Sequence, residues 1–130
     1  ALPISEMQRQ FGEQVRFRGF VDDIAVALQE YDVMLVPLRF GSGTKLKLLD
    51  AMAVNLPVIT TDVGAEGLML ETGVSAYIAN TPNEIVLALK QLSVDRESAR
   101  RIAASARLLV DQHFTWSSVE DGICELLKVS

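Results

Sequence analysis

The sequence predicts an α/β domain, a Rossmann-like parallel sheet with helices on both faces, and three observations carry that prediction. Val33 to Val36 form an apolar run short enough for a strand buried on both sides. Gly41, Ser42, Gly43 and Thr44 then make a small-residue turn, Lys45 to Val54 read as helix, and Pro57, Val58, Ile59 and Thr60 open a second strand. Downstream, a further strand-like segment is followed by helical ones, the order that places helices over both faces of a parallel sheet.

Taken in order, the chain opens with a helix over Ser5 to Gly12, capped by Ser5. Val15 to Arg18 alternate apolar and basic residues, as a short strand does. Gly19, Phe20 and Val21 turn out of it, and Asp22 or Asp23 caps a helix running through Glu30. The strand from Val33 ends at Pro37, because proline cannot donate to a sheet ladder. In the helix after the glycine turn, Leu46, Leu49 and Ala53 fall at i, i+3 and i+7 and are expected to face the sheet. Asp62 to Gly67 reads as a loop, and Ala76 to Ala79 as the last strand. Thr81 or Asn83 caps the next helix, which has Pro82 near its first position and runs to about Leu92. Asp95 opens another, with Ile102, Ala106, Leu109 and Val110 on its apolar face. Thr115 caps a final helix to about Lys128, carrying Val119, Ile123, Leu126 and Leu127.

Bulk properties narrow the function classes. A length of 130 residues and 49% hydrophobic content fit one domain, residues 1–130, with a real core. Mean hydropathy of +0.25 speaks against disorder. A net charge of -5, with no dense Lys/Arg cluster, argues against a nucleic-acid binder. The lone Cys124 has no internal disulfide partner, as expected in a reducing, cytoplasmic setting, and its apolar surroundings mark it as core. No apolar run approaches the roughly 20 residues that span a bilayer. His113 stands alone, so neither a metal site nor a hydrolase triad is indicated.

The glycine turn carries the chemistry. The first amides of a helix lack intrahelical partners and sit at the positive end of its dipole. Gly41, Ser42, Gly43, Thr44 and Lys45 therefore make a cradle for phosphate, with Lys47 adding charge nearby. Asp50 lies roughly 9 Å along the axis from Thr44, about the span from a diphosphate to a ribose hydroxyl pair. The plainer alternative is that the turn is only a turn, Asp50 a solvated helix residue, and Lys45 and Lys47 surface charges.

A set of linked motifs decides how this turn is read. Gly41 to Ala53, Leu56 to Thr61, Gly64 to Leu68, Val15 to Asp23 and Phe114 to Trp116 together resemble the nucleotide-sugar-binding, C-terminal half of a GT-B glycosyltransferase, specifically the retaining family 4 ("group 1") enzymes. That resemblance covers nearly the whole chain. It implies transfer of a sugar from a UDP-, GDP- or ADP-sugar to a hydroxyl acceptor, in polysaccharide or glycoconjugate biosynthesis, with no metal or other cofactor. It also implies that Gly19, Phe20 and Val21 lie along the donor base, although Phe20 reads equally well as a core plug. The loop holding Gly64 and Glu66 would approach the sugar and phosphates, with Glu66 as an ordinary loop acid the alternative. Three departures stand out: Ser42 and Asp50 occupy positions where the family often has glutamates, and Asn55 stands where it usually has glycine.

The family's first strand, a diphosphate-contacting basic residue and the acceptor-binding N-terminal domain would precede Ala1, so the expectation is a donor domain cut from a two-domain enzyme and inactive alone. No residue reads as a general base, and the catalytic residues are unassigned. The acceptor, a saccharide or lipid-linked glycan, would be met through the other domain, with peripheral contact to a membrane. The open sheet edge and terminal helix are expected to favour self-association. A receiver domain is excluded because Leu35, Val36 and Pro37 stand where its acceptor aspartate belongs. A sugar-nucleotide epimerase shares the fold but fits the glycine turn and its lysines less well. An inactive nucleotide-binding or scaffold domain of the same fold remains the alternative.

Overall fold

The computed structural model describes residues 9, 14, 27–39 and 45–114. The expected helix over Ser5 to Gly12 (apart from Arg9, which is helical), the strand over Val15 to Arg18, the Gly19 to Val21 turn, the Gly41 to Thr44 turn and the helix from Thr115 fall outside these residues.

Three parallel strands form the sheet: β1 (Met34–Val36), β2 (Val58–Thr60) and β3 (Tyr77–Ile78), in that spatial order. Leu35 registers with Ile59, and Ile59 with Tyr77. Helix α1 (Lys45–Ala53) connects β1 to β2, and α2 (Asp62–Ala65) follows β2. Helices α3 (Pro82–Val94) and α4 (Arg96–His113) complete the described fold.

Strand β2 is buried along its whole length and feeds both cores. Val58 joins Leu48, Ala51, Met52, Leu56 and Ala106 on one side, whereas Ile59 joins Ala79, Ala88, Leu92 and Ile102 on the other. That alternation is the two-sided burial expected of a central parallel strand. Helix α1 turns a different face inward from the one predicted. Leu48, Ala51 and Met52 are fully buried, Leu49 and Ala53 are half-buried, and Leu46 is 75% exposed. Leucines at 46, 48 and 49 satisfy either phase, and the small Ala51 beside the long Met52 lets α1 sit close to α4 and the sheet.

The helix ends are fixed by local chemistry. Asn55 takes the left-handed conformation (φ 59°) just past α1, with the Leu56 amide donating to Ala51 O at 3.0 Å and the Asn55 amide to Met52 O at 3.3 Å. These two bonds define a Schellman ending, and Asn is the residue after glycine that best tolerates its geometry. This accounts for Asn55 at a position where glycine is usual. Arg107 Nη1 adds a bond to Ala53 O at 2.7 Å. Thr81 caps α3 through the Glu84 amide, with Pro82 in the first turn. Asp95 ends α3 through its own amide and starts α4 by accepting from the Ser98 amide at 3.0 Å.

Candidate functional site at the carboxyl edge of the sheet

In a parallel sheet every strand delivers its carboxyl end to the same edge, which is where ligands of this architecture bind. Here that edge is tied together by side chains of β2 and the residues after it. Thr60, 1% exposed, donates its hydroxyl to Val36 O at 2.9 Å. Thr61 donates to Leu38 O, two residues further into the β1–α1 connection, and accepts from the Gly64 amide at 3.2 Å. On the other flank, the Asp62 amide donates to Asn80 Oδ1 at 3.0 Å, and Asn80 Nδ2 donates to Asp62 Oδ2 at 2.9 Å. The Ala79 amide closes onto Thr60 O at 2.7 Å. The ends of β1, β2 and β3 are thus one hydrogen-bonded unit.

Gly64 is required by this packing. A Cβ there would lie 2.1 Å from Thr60 Oγ1, well inside contact distance. Residues 62–65, expected as loop, form the single helical turn α2, because the Thr61 hydroxyl caps it by accepting from Gly64. Gly64 is itself buried, with its amide committed to the Thr61 hydroxyl. Glu66 follows α2 and is exposed.

Helix α1 starts at this edge. Its first turn contains no acidic residue, and Lys45 and Lys47 stand there instead. Helices α3 and α4 both carry a glutamate in the first turn, the ordinary way to offset the positive end of the dipole. Within the described residues of α1, no first-turn acid offsets the positive end of the dipole. Lys47 is exposed and Asp50 half-buried. Although they sit at i and i+3, they form no ion pair, and neither side chain has a partner among the described residues. Of the residues singled out in the sequence, Lys47, Asp50, Gly64 and Glu66 are described in full and Lys45 as the first helical residue. Gly41, Ser42, Gly43 and Thr44, and Gly19, Phe20 and Val21, lie outside the described residues.

Sequence reasoning missed the Thr60, Thr61, Asp62 and Asn80 network. The one available signal was two threonines ending a strand that is otherwise wholly apolar, since a buried hydroxyl must find an acceptor. Among the described residues, no three His, Cys, Asp or Glu side chains are grouped to hold a metal ion, and no helix is long and apolar enough to cross a membrane.

A family model described as Glycosyl transferases group 1 matches residues 3–95. The chain is similar to a phosphatidyl-myo-inositol mannosyltransferase of Mycobacterium leprae, 29% identical over 121 residues, which are 89% of this chain and 32% of that protein. It is also similar to a glycosyltransferase 1 domain-containing protein of Xenopus tropicalis, 26% identical over 87 residues, which are 67% of this chain and 25% of that one. The chain therefore spans about a quarter to a third of the curated relatives it matches. In fold it resembles Anabaena HepE, solved with UDP and glucose, at a TM-score of 0.83 and 23% identity over 98% of this chain and 36% of that one. The C-terminal domain of a glycosyl transferase group 1 family protein (LpcC) from Francisella tularensis aligns at a TM-score of 0.72 and 23% identity over 86% of this chain and 60% of that one.

Proposed function

The chain belongs to the group 1 glycosyl transferases, and from that premise we propose that it is the donor-binding domain of a two-domain, retaining enzyme that moves a sugar from a nucleotide diphosphate-sugar to a hydroxyl acceptor. The observation that carries the reading is the start of α1: a helix N-terminus without an acid, bearing Lys45 and Lys47, at the carboxyl edge of a parallel sheet. Relatives in fold lend the ligand class, since HepE was solved with UDP-glucose and with UDP and glucose. Names among the relatives, a phosphatidyl-myo-inositol mannosyltransferase and a putative colanic acid biosynthesis glycosyltransferase, agree with a role in glycoconjugate or polysaccharide assembly.

In this proposal Gly41, Ser42, Gly43 and Thr44 bring their backbone to the diphosphate, and Lys45 and Lys47 supply positive charge. Asp50, half-buried and without a side-chain partner among the described residues, accepts from the ribose hydroxyls, while Gly19, Phe20 and Val21 line the base. Gly64 and Glu66 border the sugar. Chemistry then comes from electrostatic stabilisation of the departing diphosphate, since charge develops on its oxygens as the glycosidic bond breaks. Lysines do this as mobile point charges, with no metal required. The acceptor and the closure that excludes water belong to a second domain, so the 130-residue chain transfers no sugar by itself.

Titration calorimetry of the chain with UDP, GDP and ADP tests the site. Saturable binding of at least one diphosphate is expected. A folded sample that binds none of them refutes the donor site.

A further inference from the structure

A second recess lies at the opposite, amino edge of the sheet. It is a cleft of about 340 Å³ between the segments that lead into β1 and β2, the last turn of α3 and the first turns of α4. Val33, Leu56, Pro57 and Leu92 supply apolar wall, and the exposed Tyr31 lines the cleft as well. Five polar side chains line the same space: Ser93, whose hydroxyl donates to Lys90 O at 3.0 Å, and Asp32, Asn55, Arg96 and Arg100.

The side chains of Asp32, Asn55, Arg96 and Arg100 have no ion pair or hydrogen bond among the described residues. Both arginines are exposed, so their donors are open to a ligand from solvent. Arg107, on the same helix, reaches both Ala53 O and the Asp111 carboxylate. Arg96 and Arg100 instead sit at i and i+4 on one face of α4, where like charges repel. They are not capping the helix either, because Asp95 already accepts from the Ser98 amide and Glu97 follows in the first turn. Two planar guanidinium forks side by side match the oxygens of a phosphate. A carboxylate in the same cleft disfavours an anion that fills the whole space. The group meeting Asp32 must therefore donate hydrogen bonds, as a hydroxyl does, and the Asn55 amide can both donate and accept.

We infer that this cleft binds a sugar phosphate, with the phosphate on Arg96 and Arg100, ring hydroxyls on Asp32 and Asn55, and the C–H face of the ring against Val33, Leu56 and Tyr31. Its volume stands near the lower end of small-molecule sites, about 300–1,000 Å³, which suits one phosphorylated ring better than a nucleotide sugar. The site is independent of the carboxyl edge and of the donor reading. It would let the level of a sugar phosphate be sensed on the face away from the proposed chemistry.

The test is a titration of the nitrogen-15-labelled 130-residue chain with glucose-6-phosphate, inorganic phosphate and glucose, following the arginine Nε–H signals and the Asn55 and Ser93 amides. Glucose-6-phosphate is expected to shift these signals saturably and to bind about tenfold or more tightly than either of its parts, because both halves of the cleft are then engaged. The Arg96→Gln/Arg100→Gln double variant should lose that binding by tenfold or more, with its thermal midpoint as the control for folding. Asp32→Asn should weaken glucose-6-phosphate but not inorganic phosphate. No saturable shift, equal affinity in the double variant, or shifts confined to α1 and the residues after β2 would each overturn the proposal. UDP affinity is expected to be the same in parent and double variant, so failure of the donor site would leave this result untouched.

Discussion

Replacing Gly64 by alanine tests whether the carboxyl edge is a single tied unit. The new Cβ would stand 2.1 Å from Thr60 Oγ1 and 3.7 Å from Thr61 Oγ1. Thr60 has nowhere to retreat, because it is 1% exposed and its hydroxyl holds Val36 O. Either the hydroxyl turns away, stranding a buried group at about 1–3 kcal/mol, or α2 moves off β2, an overpacking cost of about 1–3 kcal/mol. Some of both is expected, giving about 2–5 kcal/mol of lost stability. Urea unfolding reads this as a lower midpoint at unchanged slope. The cause is then isolated by a double-mutant cycle with Thr60→Ala, which removes the oxygen that clashes. The pair should be less destabilised than the sum of the single changes, with a coupling of about 1–3 kcal/mol. A Gly64→Ala protein within about 0.5 kcal/mol of the parent, or additive single effects, would show that the frame yields easily and would refute the reasoning.

Other expectations concern α1 and its ends. Asp50→Asn should weaken nucleoside diphosphate binding by about 1–3 kcal/mol, the range for hydrogen bonds to a charged group; equal calorimetric affinities would remove Asp50 from the site. Leu48→Ala should cost about 2–5 kcal/mol as a core truncation, whereas Leu46→Ala should stay within about 0.5 kcal/mol, a contrast visible in two denaturation curves. Asn55→Gly should leave stability nearly unchanged, while Asn55→Val should cost about 1–2 kcal/mol for a branched side chain in the left-handed region. Raising the salt concentration should weaken diphosphate binding to the lysine-bearing helix start, as expected for charges facing solvent.

The sequence was most informative where local chemistry decides the structure. Pro37 and Pro57 bracket β1 and β2, and Thr81 with Pro82 and Asp95 mark helix starts found within a residue of expectation. The alternation of strand and helix was likewise enough to place α1 and its lysines at the carboxyl edge of the sheet. What escaped was whatever depends on residues far apart in the chain. The α1 face could not be phased from leucines at 46, 48 and 49, because only packing against α4 and β2 separates the two solutions. Helix α2, with four residues, is shorter than any periodicity can reveal. The Thr60 and Thr61 bonds to Val36 and Leu38 join residues 24 and 23 positions apart, and nothing local announces them.

Those threonine bonds end on carbonyl oxygens, not on side chains. Thr60 grips Val36 O and Thr61 grips Leu38 O, so the chain leaving β1 is held by atoms that every amino acid supplies. Its aim toward the start of α1 is therefore set largely through backbone atoms, with Leu38 the side chain of the segment that packs against the core. Arg39, exposed, can be exchanged as freely as a letter on a fixed line. For protein engineering, this makes position 39 a natural place to graft new recognition chemistry, with Leu38 and the scaffold beneath it left unedited.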